Sequence, residues 1–151
     1  MAGEMLNRRK LLCLAGCSAG LAVLGAAAPG CNGDVTGSPP TGPVSAGNIS
    51  ALAVGGLAVM SNVVVARDAG GVYAMSGVCT HAGCLVRDAG STIAAGLSCP
   101  CHGSAFDGNG SVTRGPAAAP LQHYQVNIAA DGSITVDGSQ PVAASVRTPA
   151  G

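Results

Sequence analysis

The sequence predicts an all-β domain of small antiparallel sheets, and three observations lead there. Val63-Val64-Val65-Ala66-Arg67 is a β-branched run followed by the turn residues Asp68-Ala69-Gly70-Gly71 and a second run, Val72-Tyr73-Ala74-Met75. Near the C-terminus Tyr124, Val126 and Ile128 alternate with Gln125 and Asn127, Asp131-Gly132 signals a hairpin turn, and Ile134 and Val136 resume the alternation. No segment after about residue 28 carries a helical period of useful length.

Taken in order, the chain begins with an address. Asn7-Arg8-Arg9-Lys10-Leu11-Leu12 resembles a twin-arginine export signal, and the apolar stretch Leu11 to Ala28 contains Gly16, Gly20 and Gly25. A membrane-spanning helix needs about 20 apolar residues, so this stretch reads as a signal or membrane anchor over residues 1–28. Cleavage near Ala26-Ala27-Ala28, lipidation at Cys31 in the lipobox-like Ala28-Pro29-Gly30-Cys31, and retention as an anchor all remain open. The expected location is the periplasmic face of a bacterial cytoplasmic membrane, with a tether.

Residues 29–47 are rich in Gly, Pro, Ser and Thr and have no period, so they read as a semi-extended linker. The domain is expected over 48–147, with a site-bearing part at about 77–120. Leu85-Val86-Arg87 and Gly96-Leu97-Ser98 read as short strands between the two motifs described next.

Of the 151 residues, 24 are glycine and only three are aromatic: Tyr73, Phe106 and Tyr124. A core of Val, Ile and Ala buries little area per residue, so at about 25 cal/mol per Å² a domain this small has a thin margin. A metal centre or a disulfide would add to it. Seven basic residues balance seven acidic ones, which argues against a nucleic-acid partner. Beyond Asn32, four arginines face six aspartates, leaving that part mildly acidic.

Two boxes carry the chemistry: Cys79-Thr80-His81-Ala82-Gly83-Cys84 and Cys99-Pro100-Cys101-His102-Gly103-Ser104, with 14 residues between them. Cys79, His81, Cys99 and His102 can supply two thiolates and two imidazoles to one site. Two histidines in place of two cysteines on one iron of a [2Fe-2S] cluster raise its reduction potential. The same donors form a common zinc set. A zinc-stabilised exported binding module is therefore an alternative, although zinc does not call for a second cysteine pair.

The pair of boxes resembles the Rieske iron–sulfur signature, closely over about residues 76–120. The resemblance implies one [2Fe-2S] cluster held by Cys79, His81, Cys99 and His102, a disulfide between Cys84 and Cys101, and a cluster subdomain inserted in a larger β base. It implies that Ser104 donates a hydrogen bond to a cluster sulfur. High-potential members carry a tyrosine where this chain has Phe106, which cannot donate, so a lower potential is implied. Gly115-Pro116 would open the family's proline loop, and His123 would be a surface or half-buried strand residue, not a ligand. The function implied is one-electron transfer to redox partners, a cytochrome or a larger oxidoreductase subunit, with quinol as a candidate donor. The expected settings are the iron–sulfur subunit of a cytochrome bc-type complex and the small subunit of a periplasmic oxidoreductase such as arsenite oxidase. A Rieske ferredoxin feeding an oxygenase is a further alternative. The sequence offers no catalytic residue of its own, so enzyme activity would belong to an assembly.

Overall fold

A computed structural model describes residues 35–150. The expected signal or anchor over 1–28, the start of the linker and Cys31 lie outside them. Ten strands follow in chain order: β1 (Pro43–Asn48), β2 (Leu57–Met60), β3 (Val63–Asp68), β4 (Gly71–Ser76), β5 (Arg87–Asp88), β6 (Leu97–Ser98), β7 (Ala105–Phe106), β8 (Val112–Arg114), β9 (His123–Ile128) and β10 (Ser133–Val142). A single 3₁₀ turn, Ile49–Ala51, lies between β1 and β2. Among the described residues no helix is long and apolar enough to cross a membrane.

The strands form two antiparallel sheets. One is six-stranded, in the order β1-β10-β9-β4-β3-β2; the other is four-stranded, in the order β5-β6-β7-β8. Strands β4 and β9 are neighbours, with Ala74 opposite Tyr124 and Met75 opposite His123. The chain leaves β4 at Ser76, builds the whole small sheet, and returns as β9. The site-bearing part is thus an insertion between two adjacent strands of the base.

Two apolar clusters explain the strand patterns. Val63, Val65, Val72, Ala74, Tyr124, Val126, Ile134 and Val136 fill the base. Val64, Ala66, Tyr73 and Met75 face the other way, joining Val86, Leu97, Phe106, Leu121 and the sulfurs of Cys79 and Cys99. Strands β3 and β4 are therefore covered on both faces, which is why they read as continuous apolar runs. Strand β10 buries only Ile134 and Val136, on one face, and alternates.

The hairpins turn where their residues allow. Asp68 Oδ1 accepts the Gly70 N–H at 2.8 Å, an Asx turn that closes β3 onto β4. Gly71 has φ +134, and a Cβ there would strike the Thr148 carbonyl, so only glycine lets the C-terminal segment pair with Val72. Asp131 Oδ1 likewise takes the Ser133 N–H at 2.9 Å in the β9–β10 turn.

The linker expected over 29–47 is corrected by the structure in its second half. Residues 43–47 belong to β1, which pairs with β10 (Val44 opposite Val136). Upstream, the Leu85 N–H donates to Val35 O at 2.8 Å and the Gly37 N–H to Gly83 O at 2.9 Å, bracketing a bridge between Thr36 and Cys84. Asn62 Nδ2 holds Ser38 O at 2.9 Å. The composition looked like a spacer because these contacts use backbone groups, which small and turn-forming residues leave accessible. The expected Leu85–Arg87 strand also shortens: Leu85 pairs with Val78 as an isolated bridge outside any strand, and β5 is Arg87–Asp88.

Candidate metal centre

The two boxes fold the same way. In the first, the Cys79 N–H donates to Cys84 O at 2.8 Å and the Gly83 N–H returns to Cys79 O at 3.0 Å. In the second, Cys99 N–H donates to Ser104 O at 2.8 Å and Gly103 N–H to Cys99 O at 3.0 Å. Gly83 and Gly103 occupy the same offset and have φ +76 and +75. A side chain at either would strain that left-handed bend.

This doubled turn sorts the donors by depth. Cys79 and Cys99 are free thiols, each 2% exposed. They lie near each other, and the backbone N–H groups of Cys101 and His102 face the Cys99 sulfur. Burial pushes the Cys99 thiol up, and Cys79 beside it adds to this, while those N–H groups pull the other way. His81 and His102 stand exposed above, their ring centroids 4.8 Å apart and edge to face.

Cys84 and Cys101 are joined, with Cα atoms 6.5 Å apart, and the bond ties one box to the other. Their sulfurs lie within 4.8 Å of the Cys99 sulfur. Only Cys99 of those three is a free thiol, so the group is a bridge packed against a ligand candidate and not a second metal site.

A third segment closes over the boxes. It begins at the cis Gly115–Pro116 bond, with Pro116 exposed. Thr80 Oγ1 donates to Ala119 O at 2.6 Å, Ala117 N–H donates to Ser104 Oγ at 3.0 Å, and Arg114 Nε donates to Gly103 O at 2.8 Å. Ser104 is fully buried. Its hydroxyl accepts from Ala117, which leaves its own proton to donate. Phe106 is buried in the same cluster as Cys79 and Cys99. Thr80 and Arg114 were not singled out from the sequence, and only their neighbourhood to the boxes could have suggested them.

His123 lies in the base on β9. It is corrected from surface or half-buried to buried, because its ring stacks on Tyr73 at 5.9 Å across the β4–β9 pair. Its Nε2 is 2.9 Å from Asn109 O, and burial pushes it below the ordinary histidine value.

The donor set fits a [2Fe-2S] cluster. Two buried thiols near each other, faced by N–H groups, would become stable thiolates against iron. Two neutral imidazoles at the surface would complete a second iron.

Comparison with known proteins agrees. A profile described as "Rieske [2Fe-2S] domain" matches residues 32–125. The cytochrome b6-f complex iron-sulfur subunit of Chlorobaculum tepidum is 42% identical over 76 residues, covering 49% of this chain and 39% of that protein. The subunit of the same name from Synechococcus sp. RCC307 is 43% identical over 70 residues, covering 46% and 38%. The chain thus spans about two fifths of the length of the curated relatives it matches. Among solved structures, the cyanobacterial plasma membrane Rieske protein PetC3 from Synechocystis PCC 6803 is 30% identical, covering 62% of this chain and 97% of that one, with a TM-score of 0.48. The ferredoxin of carbazole 1,9a-dioxygenase from Nocardioides aromaticivorans IC177 is 27% identical, covering 63% and 96%, at 0.45.

Proposed function

Because this chain belongs to the Rieske [2Fe-2S] domain family, and so transfers single electrons through such a cluster, we propose that it does so as an exported, membrane-tethered subunit of a quinol:cytochrome c-type or related periplasmic oxidoreductase. In this reading Cys79, Cys99, His81 and His102 are the ligands. The cluster supplies a one-electron acceptor whose potential is raised by the two neutral imidazoles.

The observation that carries the proposal is the depth ordering of the donors: thiols buried, imidazoles at the surface. Exposed rings bring the redox centre to within contact of a partner. The nitrogen of each ring that is not on iron can hold a proton, so electron and proton uptake from a quinol are linked at His81 and His102. Cys79 and Cys99 are buried, and the Cys84–Cys101 bridge packs against the Cys99 sulfur. The resemblance to cytochrome b6-f iron-sulfur subunits supports the quinol-linked setting. Phe106 favours a second reading, a carrier of lower potential with another donor, since the ring can give no hydrogen bond to the sulfurs it packs beside.

Fractionation of cells expressing the full chain tests the setting. Recovery with membranes at the periplasmic face, lost when Arg8 and Arg9 are replaced by lysine, is expected. Recovery in the cytosol with full cluster content would overturn it. A potential that falls with rising pH, with reduction by a quinol analogue, separates the quinol reading from the lower-potential one.

A further inference from the structure

The three loops of the tip, residues 77–86, 99–104 and 113–121, contain one formally charged side chain, Arg114. It closes β8 just before the cis Gly115–Pro116 bond and is exposed. Its Nε donates to Gly103 O at 2.8 Å, on the residue that follows His102. Among the described residues it makes no ion pair. Its charge therefore stands uncompensated at the rim of the site.

The bond to Gly103 does more than hold a loop. The Gly103–Ser104 peptide is trans, so its carbonyl and its N–H point in opposite directions. With the carbonyl facing Arg114, the Ser104 N–H points the opposite way, on a residue with no exposed surface. The Ser104 carbonyl takes the Cys99 N–H and its hydroxyl takes the Ala117 N–H, while the N–H itself has no partner among the described residues. Buried backbone N–H groups rarely stay unpaired. A cluster held by Cys79 and Cys99 would offer a sulfur acceptor of the right charge.

We propose that Arg114 is a positioning residue of the cluster site. It turns the Gly103–Ser104 peptide so that its N–H serves the cluster, and it sets its own positive charge beside the second box, both favouring the reduced form. The inference rests on the cluster reading above. Reduction adds one electron and one negative charge, which a nearby cation and that N–H both stabilise.

Equilibrium redox titration of the full-length holoprotein tests this, with wild type, Arg114→Gln and Arg114→Lys compared at low and high salt and the reduced-state paramagnetic spectrum recorded for each. In Arg114→Gln the equilibrium constant for reduction is expected to fall about three- to tenfold at low salt, and less at high salt as screening removes the charge contribution. Arg114→Lys should recover the salt-dependent part and not the rest, because an ammonium lacks the fixed guanidinium plane. A role in folding alone would lower cluster content or thermal stability and leave the potential of the loaded fraction in place. An Arg114→Gln constant within twofold of wild type at both salts, on a loaded cluster, overturns the proposal. A wild-type chain with no reduced-state signal overturns the cluster reading itself.

Discussion

Replacement of Arg147 by alanine tests how the C-terminal segment holds the base to the insertion. The guanidinium Nε donates to Asp68 Oδ2 at 2.6 Å, Nη2 reaches Asn109 Oδ1 at 3.0 Å, and the central carbon sits 3.8 Å from the centroid of the Tyr73 ring. Nη1 also caps the carbonyls of Ala144 and Val146. The Asp68 side chain is 35% exposed, so the ion pair is screened and contributes about 0.5 kcal/mol. The cation–π contact adds about 0.5–1 kcal/mol. The hydrogen bond to Asn109, from a charged donor, adds about 1 kcal/mol. The net loss is about 2 kcal/mol, and because 1 kcal/mol moves the midpoint of a domain this size by about 3–6 °C, Tm should fall by roughly 6–12 °C. Thermal unfolding followed by far-ultraviolet circular dichroism on the holoprotein reads it. Asp68→Asn should cost less than half as much, since it removes the charge but keeps an amide oxygen for the Gly70 N–H and leaves the Tyr73 and Asn109 contacts. A loss under about 0.5 kcal/mol for Arg147→Ala, or equal losses for the two variants, would refute the reasoning.

Three further outcomes follow from the same geometry. Joint replacement of Cys84 and Cys101 by alanine removes a bridge with a sequence separation of 17, which the chain-entropy relation puts at about 3 kcal/mol; chemical denaturation should show this, with faster loss of iron colour. Burial holds His123 below the ordinary histidine value, so the unfolded chain binds its proton first and stability falls as pH drops below about 6.5; His123→Gln should flatten that part of the stability–pH curve. Gly71→Ala places a Cβ on the Thr148 carbonyl at a positive φ, and a loss of about 2–4 kcal/mol is expected, with hydrogen exchange rising at Val72 and Thr148.

The site was more legible than the frame that carries it. All six sulfur and imidazole groups lie in two boxes of six residues, so local spacing set them out, and the doubled Cys-to-Gly turn then needs little beyond its own backbone bonds. The hairpins β3–β4 and β9–β10 were legible from turn residues and from one-face alternation. Strand β1 was not: Pro43 to Asn48 pairs with β10 by backbone groups and buries only Ala46. The docking of Val35 and Gly37 on the Cys84 loop is invisible for the same reason. Thr80 and Arg114 act on carbonyls 39 and 11 residues away, and no period in the sequence encodes such a pairing. The burial of His123 depends on Tyr73 lying one strand over, a consequence of the insertion between β4 and β9.

The most direct test of the central claim is metal analysis with electron paramagnetic resonance of the reduced full-length protein, repeated after His81→Cys and His102→Cys. The account predicts two irons per chain by the family's cluster type, a rhombic signal from the reduced wild type, and a lower potential in either variant as an anionic ligand replaces a neutral one. Bound zinc with no reduced-state signal, or a signal and potential unchanged by both substitutions, would contradict it.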